Sequence, residues 1–240
     1  FYGGWWLIAV GALCVVFAFL YTAGPYPLAY HGWGDLLVLV FFGFVPVGCT
    51  YYVLCGGWTW QVAVLAAACG LVIDTLLMVN NYRDREQDAR SGKRTLVVRL
   101  GERAGQRLYL LSGFAAAALC LGLWGDGRTW AALLPLLYLP PHVAAWRRMV
   151  RIGRGRELNA VLGATSRNIL LFGLLLTPAN VLPSTSGSRF RILAGLAPER
   201  LLYRLFGHHA AVGAHERHRA AEQRGFAFFD QLIARLRLRR

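Results

Sequence analysis

The chain has 240 residues, of which 56% are hydrophobic and only 16% are charged, with a mean hydropathy of +0.42. This composition excludes an ordinary soluble domain. The five cysteines have no CxxC spacing, which argues against a zinc site or a disulfide framework. The net charge of +14 comes from short basic segments between apolar runs and from the tail, so it indicates anionic lipid headgroups as partners and no nucleic acid.

Six apolar runs reach or approach the length of about 20 residues that crosses a bilayer. The fifth run contains Pro135, Pro140 and Pro141, so we expect a kink there. Residues 1–183 then form the transmembrane domain, and 184–240 form a basic tail without a predicted structure. We therefore predict an all-α, integral membrane helical bundle with about six transmembrane helices, at roughly 4–22, 35–54, 59–80, 104–124, 130–146 and 164–182.

Two basic loops orient these helices. The loop 83–107 carries eight Lys or Arg residues and the loop 147–156 carries five, and the positive-inside rule predicts that both are cytoplasmic. Two spans separate them, as alternation requires. The loop 23–34 falls on the same side of the membrane.

An acidic segment, 80–95, follows the third predicted span with the sequence NNYRDREQDARSGKRT. If that span continues as a helix, Asn80, Asp84 and Asp88 stand at i, i+4 and i+8 and share one face. Clustered acids repel one another unless a cation is bound, and Mg²⁺ typically uses one or two carboxylates together with substrate phosphates. The pattern favours a magnesium-diphosphate site over the alternative, a solvated juxtamembrane loop.

A lysine and a buried acid complete this pattern. Lys93 is the one lysine among 26 basic residues, which indicates that its compact ammonium group matters beside the acids. Asp74, Asn81 and Asp88 are seven residues apart and also share a helix face. A carboxylate inside a span usually faces a cavity or a partner, so Asp74 is either a functional group or a protonated structural residue.

Residues 80–101, NNYRDREQDARSGKRTLVVRLG, resemble the second aspartate-rich motif of the UbiA superfamily of membrane prenyltransferases. Within the superfamily, they are most similar to the branch that prenylates 1,4-dihydroxy-2-naphthoate in menaquinone biosynthesis. Two further segments are similar to the family, Tyr21–Leu28 and the stretch from Gly155 to Leu176. The resemblance covers about 4–182 and does not extend to 184–240.

The resemblance implies transfer of an isoprenoid chain from a prenyl diphosphate to an aromatic acceptor, with Mg²⁺ as cofactor. It implies that Asp84 and Asp88 are catalytic magnesium ligands, that Asn80 supports them, and that Lys93 acts on the diphosphate. Further expectations concern the substrate contacts. These are Arg83 and Arg94 beside the diphosphate, Asn81 as another substrate-binding residue, and Tyr21 and Tyr26 on the acceptor side. The expected location is the bacterial inner membrane with the 83–107 loop in the cytoplasm.

The family fold has nine transmembrane helices, and the six spans here resemble the fourth to the ninth. The family also uses an earlier acidic motif of NxxxDxxxD type, and no second copy of such a motif occurs in this sequence. We therefore expect the chain to be a fragment, possessing half of the magnesium site. Two alternatives to the enzyme remain at this point, namely a transporter or channel segment with Asp74 as its ion site and a non-catalytic membrane remnant.

Overall fold

The computed structural model describes residues 4–126 and 129–181. By its internal contacts the chain divides into two units, Phe1–Arg189 and Phe190–Arg240, and the described residues all belong to the first. The predicted basic tail, 184–240, lies outside the described residues. The boundary at residue 183 therefore stays a prediction.

The described residues form helices and turns and contain no β-strand, which confirms the all-α prediction. One helical stretch, Leu39–Phe44, is a π-helix, and short 3₁₀ turns occupy several of the links. The helices are α1 (Trp6–Thr22), α2 (Gly34–Cys55), α3 (Trp60–Arg90), α4 (Leu96–Leu100), α5 (Glu102–Leu121), α6 (Thr129–Leu133), α7 (Leu139–Ile152) and α8 (Asn159–Val181).

Four segments of the described chain are long and apolar enough to cross a membrane. They are Gly34–Cys55, Trp60–Arg90, Glu102–Trp124 and Arg156–Thr177, and they correspond to the second, third, fourth and sixth predicted spans. The first predicted span is the shorter apolar helix α1, of 17 residues. These apolar helices make the chain an integral membrane protein.

The fifth predicted span, 130–146, is not one helix. It consists of α6, a 3₁₀ turn at Leu134–Tyr138 and the first half of α7. Pro135 stands in the turn, and Pro140 and Pro141 open α7, where their missing N–H groups cost nothing. The prolines thus divide the run into pieces, in line with the predicted kink.

Helix α3 is the central element, because it packs against α2, α5 and α8. Its contact with α2 is close: a Cβ atom on Gly43 would lie 2.6 Å from the Ala66 carbonyl oxygen and 2.9 Å from the Gly70 Cα. Small residues let two membrane helices approach until their backbones touch. The two glycines therefore fix the position of α2 against the middle of α3.

A buried core lies beneath the C-terminal half of α3. Its polar groups are paired: the Tyr109 and Thr165 hydroxyls are 2.9 Å apart, and the Trp146 indole donates to the Gln106 carbonyl at 3.0 Å. Paired polar groups carry little desolvation cost and specify one arrangement of the helices. The apolar members of this core are Met78, Val79, Tyr82, Val97, Tyr109, Ala145, Met149, Leu158 and Val161.

Candidate functional site

The acidic segment forms the end of α3. The helix runs without interruption to Arg90 and has 31 residues, which corresponds to about 46 Å at a rise of 1.5 Å per residue. The hydrocarbon core of a bilayer is only about 30 Å thick, so one end of α3 must project beyond it. The helix therefore continues past Asn80, as the predicted stripe of Asn80, Asp84 and Asp88 requires.

Asp84 is held by the side chain that precedes it. The Arg83 guanidinium donates to both carboxylate oxygens of Asp84, from Nε and from Nη2, at 2.7 Å each. The same Nη2 donates to Asn80 Oδ1 at 2.8 Å, and Nη1 donates to Asn159 Oδ1 at 2.8 Å. Arg83 therefore joins the amide and the carboxylate of the stripe and ties α3 to the start of α8.

Asp88 is held by the lysine that follows the helix. Gly92 has a φ of 78°, the Gly92 N–H donates to the Ala89 carbonyl, and the Lys93 N–H donates to the Asp88 carbonyl at 2.9 Å. These bonds form a Schellman motif, in which the residue after the glycine folds back over the last turn. The Lys93 ammonium thereby comes to 3.3 Å from the Asp88 carboxylate.

The two carboxylates differ in access. The Asp84 side chain is 32% exposed, whereas Asp88 is 11% exposed beneath Lys93. The Arg83–Asp84 pair is partly exposed, and pairs of this kind contribute about 0–1 kcal/mol. This pair can therefore be exchanged for a metal ion and a phosphate at small cost, whereas the Asp88–Lys93 pair is largely buried.

Arg85 has a structural role on the other side of the helix. It donates to the Tyr82 carbonyl at 2.7 Å and to Glu102 at 3.0 Å, and its guanidinium lies 4.3 Å from the centre of the Tyr82 ring. Glu102 also accepts a hydrogen bond from the Tyr82 hydroxyl at 2.8 Å. This cluster joins the end of α3 to the start of α5 and supports the acidic stripe from behind.

Three of the predicted substrate residues, Tyr21, Asn81 and Lys93, line one small cavity at the same end, which is closed and has no room for a water molecule. Asp35 and Thr95 also line it, and Asp35 Oδ2 is a buried oxygen without a hydrogen-bond partner among the described residues. A buried acceptor that lacks a partner carries a desolvation cost. Asp35 therefore carries a buried oxygen that could accept a hydrogen bond from a ligand.

Two other predicted substrate residues do not line this cavity. Tyr26 is 54% exposed and stacks on the His31 ring, with 3.4 Å between the ring centres. The Arg94 side chain is exposed, while its backbone N–H donates to the Tyr30 carbonyl at 2.8 Å. This hydrogen bond places the 23–34 loop and the end of α3 together, as the predicted alternation requires.

Asp74 lies further along α3, inside the spanning segment. It is 4% exposed, and its Oδ1 has no partner among the described residues. Asp35 is near enough to interact with it electrostatically. The two isolated acids of residues 1–82 are therefore neighbours, which their separation of 39 positions in the sequence did not indicate.

The stripe offers the ligand types of a hard divalent cation. Asp84 and Asp88 supply carboxylate oxygens and Asn80 supplies an amide oxygen, and Mg²⁺ commonly needs only one or two carboxylates when phosphate oxygens and water complete its octahedron. The described residues contain no group of three or more His, Cys, Asp or Glu that could hold a metal by itself. The residues thus fit a cation that arrives together with a diphosphate.

A membrane helical bundle with an acidic, amide-lined helix end defines the class of protein, and comparison with known proteins gives the family. Residues 1–169 match the UbiA prenyltransferase family. Because the match covers more than half of the chain, the chain belongs to that family. Members generally depend on a divalent metal.

Several relatives carry the name 1,4-dihydroxy-2-naphthoate octaprenyltransferase. The one from Mycobacterium tuberculosis is 40% identical over 72% of this chain and 59% of its own length. The Haemophilus influenzae protein is 45% identical over 46% of this chain and 36% of its own length. The Escherichia coli protein is 35% identical over 70% of this chain and 55% of its own length. The chain thus spans less than two thirds of these relatives. No solved structure matches it significantly.

Sequence reasoning missed three residues that the site uses. Asn159 binds Arg83 from α8, Glu102 binds Arg85 from α5, and Asp35 lines the cavity. The sequence contained an indication of Asp35, because it is one of two acids in the first 82 residues. The other two are ordinary polar residues in basic loops, and only the packing of the helices brings them to α3.

We predict that Gly92→Ala destabilises the protein by about 1 kcal/mol, because a left-handed φ is unfavourable for a residue with a Cβ. The matched control is Gly122→Ala, where φ is −59° and nothing lies within 4 Å of the new Cβ. Thermal unfolding in detergent measures both. Equal melting temperatures for the two variants would show that the turn before Lys93 is not strained.

Proposed function

We propose that the protein transfers a prenyl chain from a prenyl diphosphate to an aromatic acceptor, 1,4-dihydroxy-2-naphthoate, in menaquinone biosynthesis. The observation that carries this proposal is the pairing of two carboxylates with two cations, Asp84 with Arg83 and Asp88 with Lys93, at one projecting helix end. Such a set can receive a metal ion and a diphosphate together. The names of the relatives support the acceptor.

The donor binds, in this proposal, with its diphosphate at the end of α3. Asp84, Asp88 and Asn80 would hold Mg²⁺, which when bound supplies positive charge to the leaving diphosphate as the allylic C–O bond breaks. Arg83 and Lys93 turn from the carboxylates to the phosphate oxygens and donate hydrogen bonds to them. Once they are bonded to the phosphate oxygens, these donors stabilise the negative charge that develops on the leaving group in the transition state.

The acceptor side, in this proposal, is the closed cavity that Tyr21, Asp35 and Asn81 share with Lys93, whose lining residues move apart to admit the acceptor. The Asp35 carboxyl supplies a hydrogen-bond partner for an acceptor hydroxyl, which orients the electron-rich ring toward the allylic carbon. A ring carbon then forms the new C–C bond, and the naphthoate loses its carboxyl group as CO₂. Orientation of two bound reactants can itself supply several orders of magnitude in rate.

The transporter alternative is not favoured. Asp74 is buried inside a spanning helix, as an ion site requires, but the family consists of prenyltransferases. A transport role would also leave the paired charges of the stripe without a function. A remnant without catalysis is distinguished from the enzyme by the assay below.

The location that we propose is the inner membrane of a bacterium, with the acidic end of α3 in the cytoplasm. The basic loops that meet at this end support the orientation, since Arg154 lies 3.5 Å from Glu86 and Arg83 binds Asn159. Both predicted cytoplasmic loops therefore reach the same end of the bundle. Arg-rich loops are retained on the cytoplasmic side.

We predict that Asp84→Asn and Asp88→Asn each lower prenyl transfer by at least about 100-fold, because each removes a ligand for the cation that stabilises the leaving group. The measurement is product formation in membranes that contain the protein expressed from its complete coding sequence, with prenyl diphosphate, naphthoate and Mg²⁺ supplied. The matched control is Glu86→Gln, an exposed acid of the same helix end whose pair with Arg154 is also exposed. Normal turnover in either aspartate variant would reject the assigned roles.

We predict that Asp35→Asn lowers kcat/KM for the aromatic acceptor by about tenfold, because a hydrogen bond to a charged group contributes about 1.5–3 kcal/mol. The KM for the prenyl diphosphate should stay unchanged. Tyr30→Phe is the control, since the Tyr30 side chain is 41% exposed and does not line the cavity. An equal loss of kcat/KM for the aromatic acceptor and for the prenyl diphosphate would contradict a role of Asp35 in binding the acceptor.

A further inference from the structure

A groove runs along the outer face of α7, away from the acidic stripe. Its volume is ≈ 980 Å³, which is far more than a few water molecules occupy. One part of its wall is apolar and is formed by Leu139, Pro140, Val143 and Ala144. The other part is strongly basic.

Three arginines form the basic part, and all of them are exposed: Arg147, Arg148 and Arg151. Together with Ala144 they stand at i, i+3, i+4 and i+7, so they share one face of α7. The opposite face is buried through Ala145 and Met149. The arrangement places three like charges side by side, which is unfavourable for the helix unless an anion compensates them.

The three arginines have no compensating partner in the part of the chain that the structure describes. Ion pairs there involve Arg83, Arg85, Lys93 and Arg154, and neither an ion pair nor a hydrogen bond involves Arg147, Arg148 or Arg151. Glu157 also lines the groove, so the lining keeps two net positive charges. The groove is therefore suited to an anionic ligand.

The direction of the groove matches that of a lipid. The C-terminal end of α7 leads to Arg154, which pairs with Glu86 on the projecting end of α3, so the arginines lie at the membrane surface. His142 and Trp146 of α7 contact the carbonyls of Leu110 and Gln106 on the spanning helix α5, so α7 runs alongside that span. From Arg151 back to Leu139 it covers about 18 Å, from the headgroup level into the hydrocarbon. Charge is thus found at headgroup depth and apolar surface below it.

We propose that this groove binds an anionic phospholipid of the surrounding membrane. The guanidinium groups donate hydrogen bonds to the phosphate oxygens, for which their planar, forked geometry is well suited. One acyl chain follows Leu139, Val143 and Ala144. A free phosphate ion would leave the apolar wall unused, and the groove has no carboxylate pair for a metal-bound diphosphate. The proposal does not depend on the enzymatic activity.

The test is native mass spectrometry of the complete protein, delipidated in detergent and then mixed with equal amounts of phosphatidylglycerol and phosphatidylethanolamine of identical acyl chains. The wild type should retain phosphatidylglycerol with a preference on the order of tenfold, because each arginine at headgroup depth strengthens the attraction to an anionic lipid. The triple variant Arg147→Gln, Arg148→Gln, Arg151→Gln should lose this preference.

The matched control is the triple variant Arg90→Gln, Arg103→Gln, Arg107→Gln. It removes the same charge from exposed positions at the same end of the bundle, outside the groove, and should keep the preference. An equal loss in both triple variants would show a general effect of surface charge and overturn the proposal. Displacement of the lipid by a prenyl diphosphate at equimolar concentration would overturn it as well, since the groove would then be a donor site.

A second variant tests the groove without altering its charge. Ala144 is exposed in the apolar wall, so Ala144→Trp fills the space of the acyl chain and leaves the three arginines in place. It should reduce phosphatidylglycerol retention to the level of the arginine variant. Unchanged retention would contradict the acyl-chain position, and this variant decides the question if the triple variant does not fold.

Discussion

Charge compensation at the projecting end of α3 is the constraint on which the site depends. Two carboxylates one helical turn apart would repel each other, and the structure compensates each with a different cation, Arg83 for Asp84 and Lys93 for Asp88. Neither cation comes from a distant element, so the set forms as soon as the helix ends at the Gly92 turn. The surrounding helices then fix it, through Asn159 on one side and Glu102 on the other.

This local pairing also explains how the same residues can serve a ligand. The Arg83–Asp84 pair is partly exposed and therefore weak enough to be exchanged, while the backbone that carries both pairs is held by a buried core. In the function that we propose, this helix end receives a metal ion and a diphosphate. Asp35 Oδ2, which has no hydrogen-bond partner among the described residues, lines a closed cavity beside the same helix end, shared with Lys93.

The sequence predicted the parts of the site that are local. Helical spacing placed Asn80, Asp84 and Asp88 on one face of α3, because residues within two turns of one another are governed by helix geometry. The single lysine was expected beside the acids, but its pair with Asp88 was not predicted. Contacts between distant elements, such as Arg83 with Asn159, depend on packing that one sequence does not specify. The proline-rich run 130–146 was likewise too short and too irregular for its helix limits to be read from hydropathy.

Metal binding measured without turnover tests the central claim most directly. Mn²⁺ can stand in for Mg²⁺, and its electron paramagnetic resonance signal from free ion falls when it binds to protein. The account predicts that the wild-type protein in nanodiscs binds Mn²⁺ much more tightly when a prenyl diphosphate is present, and that the double variant Asp84→Asn, Asp88→Asn loses this gain. Equal binding by the wild type and the double variant would contradict the assignment of these two carboxylates.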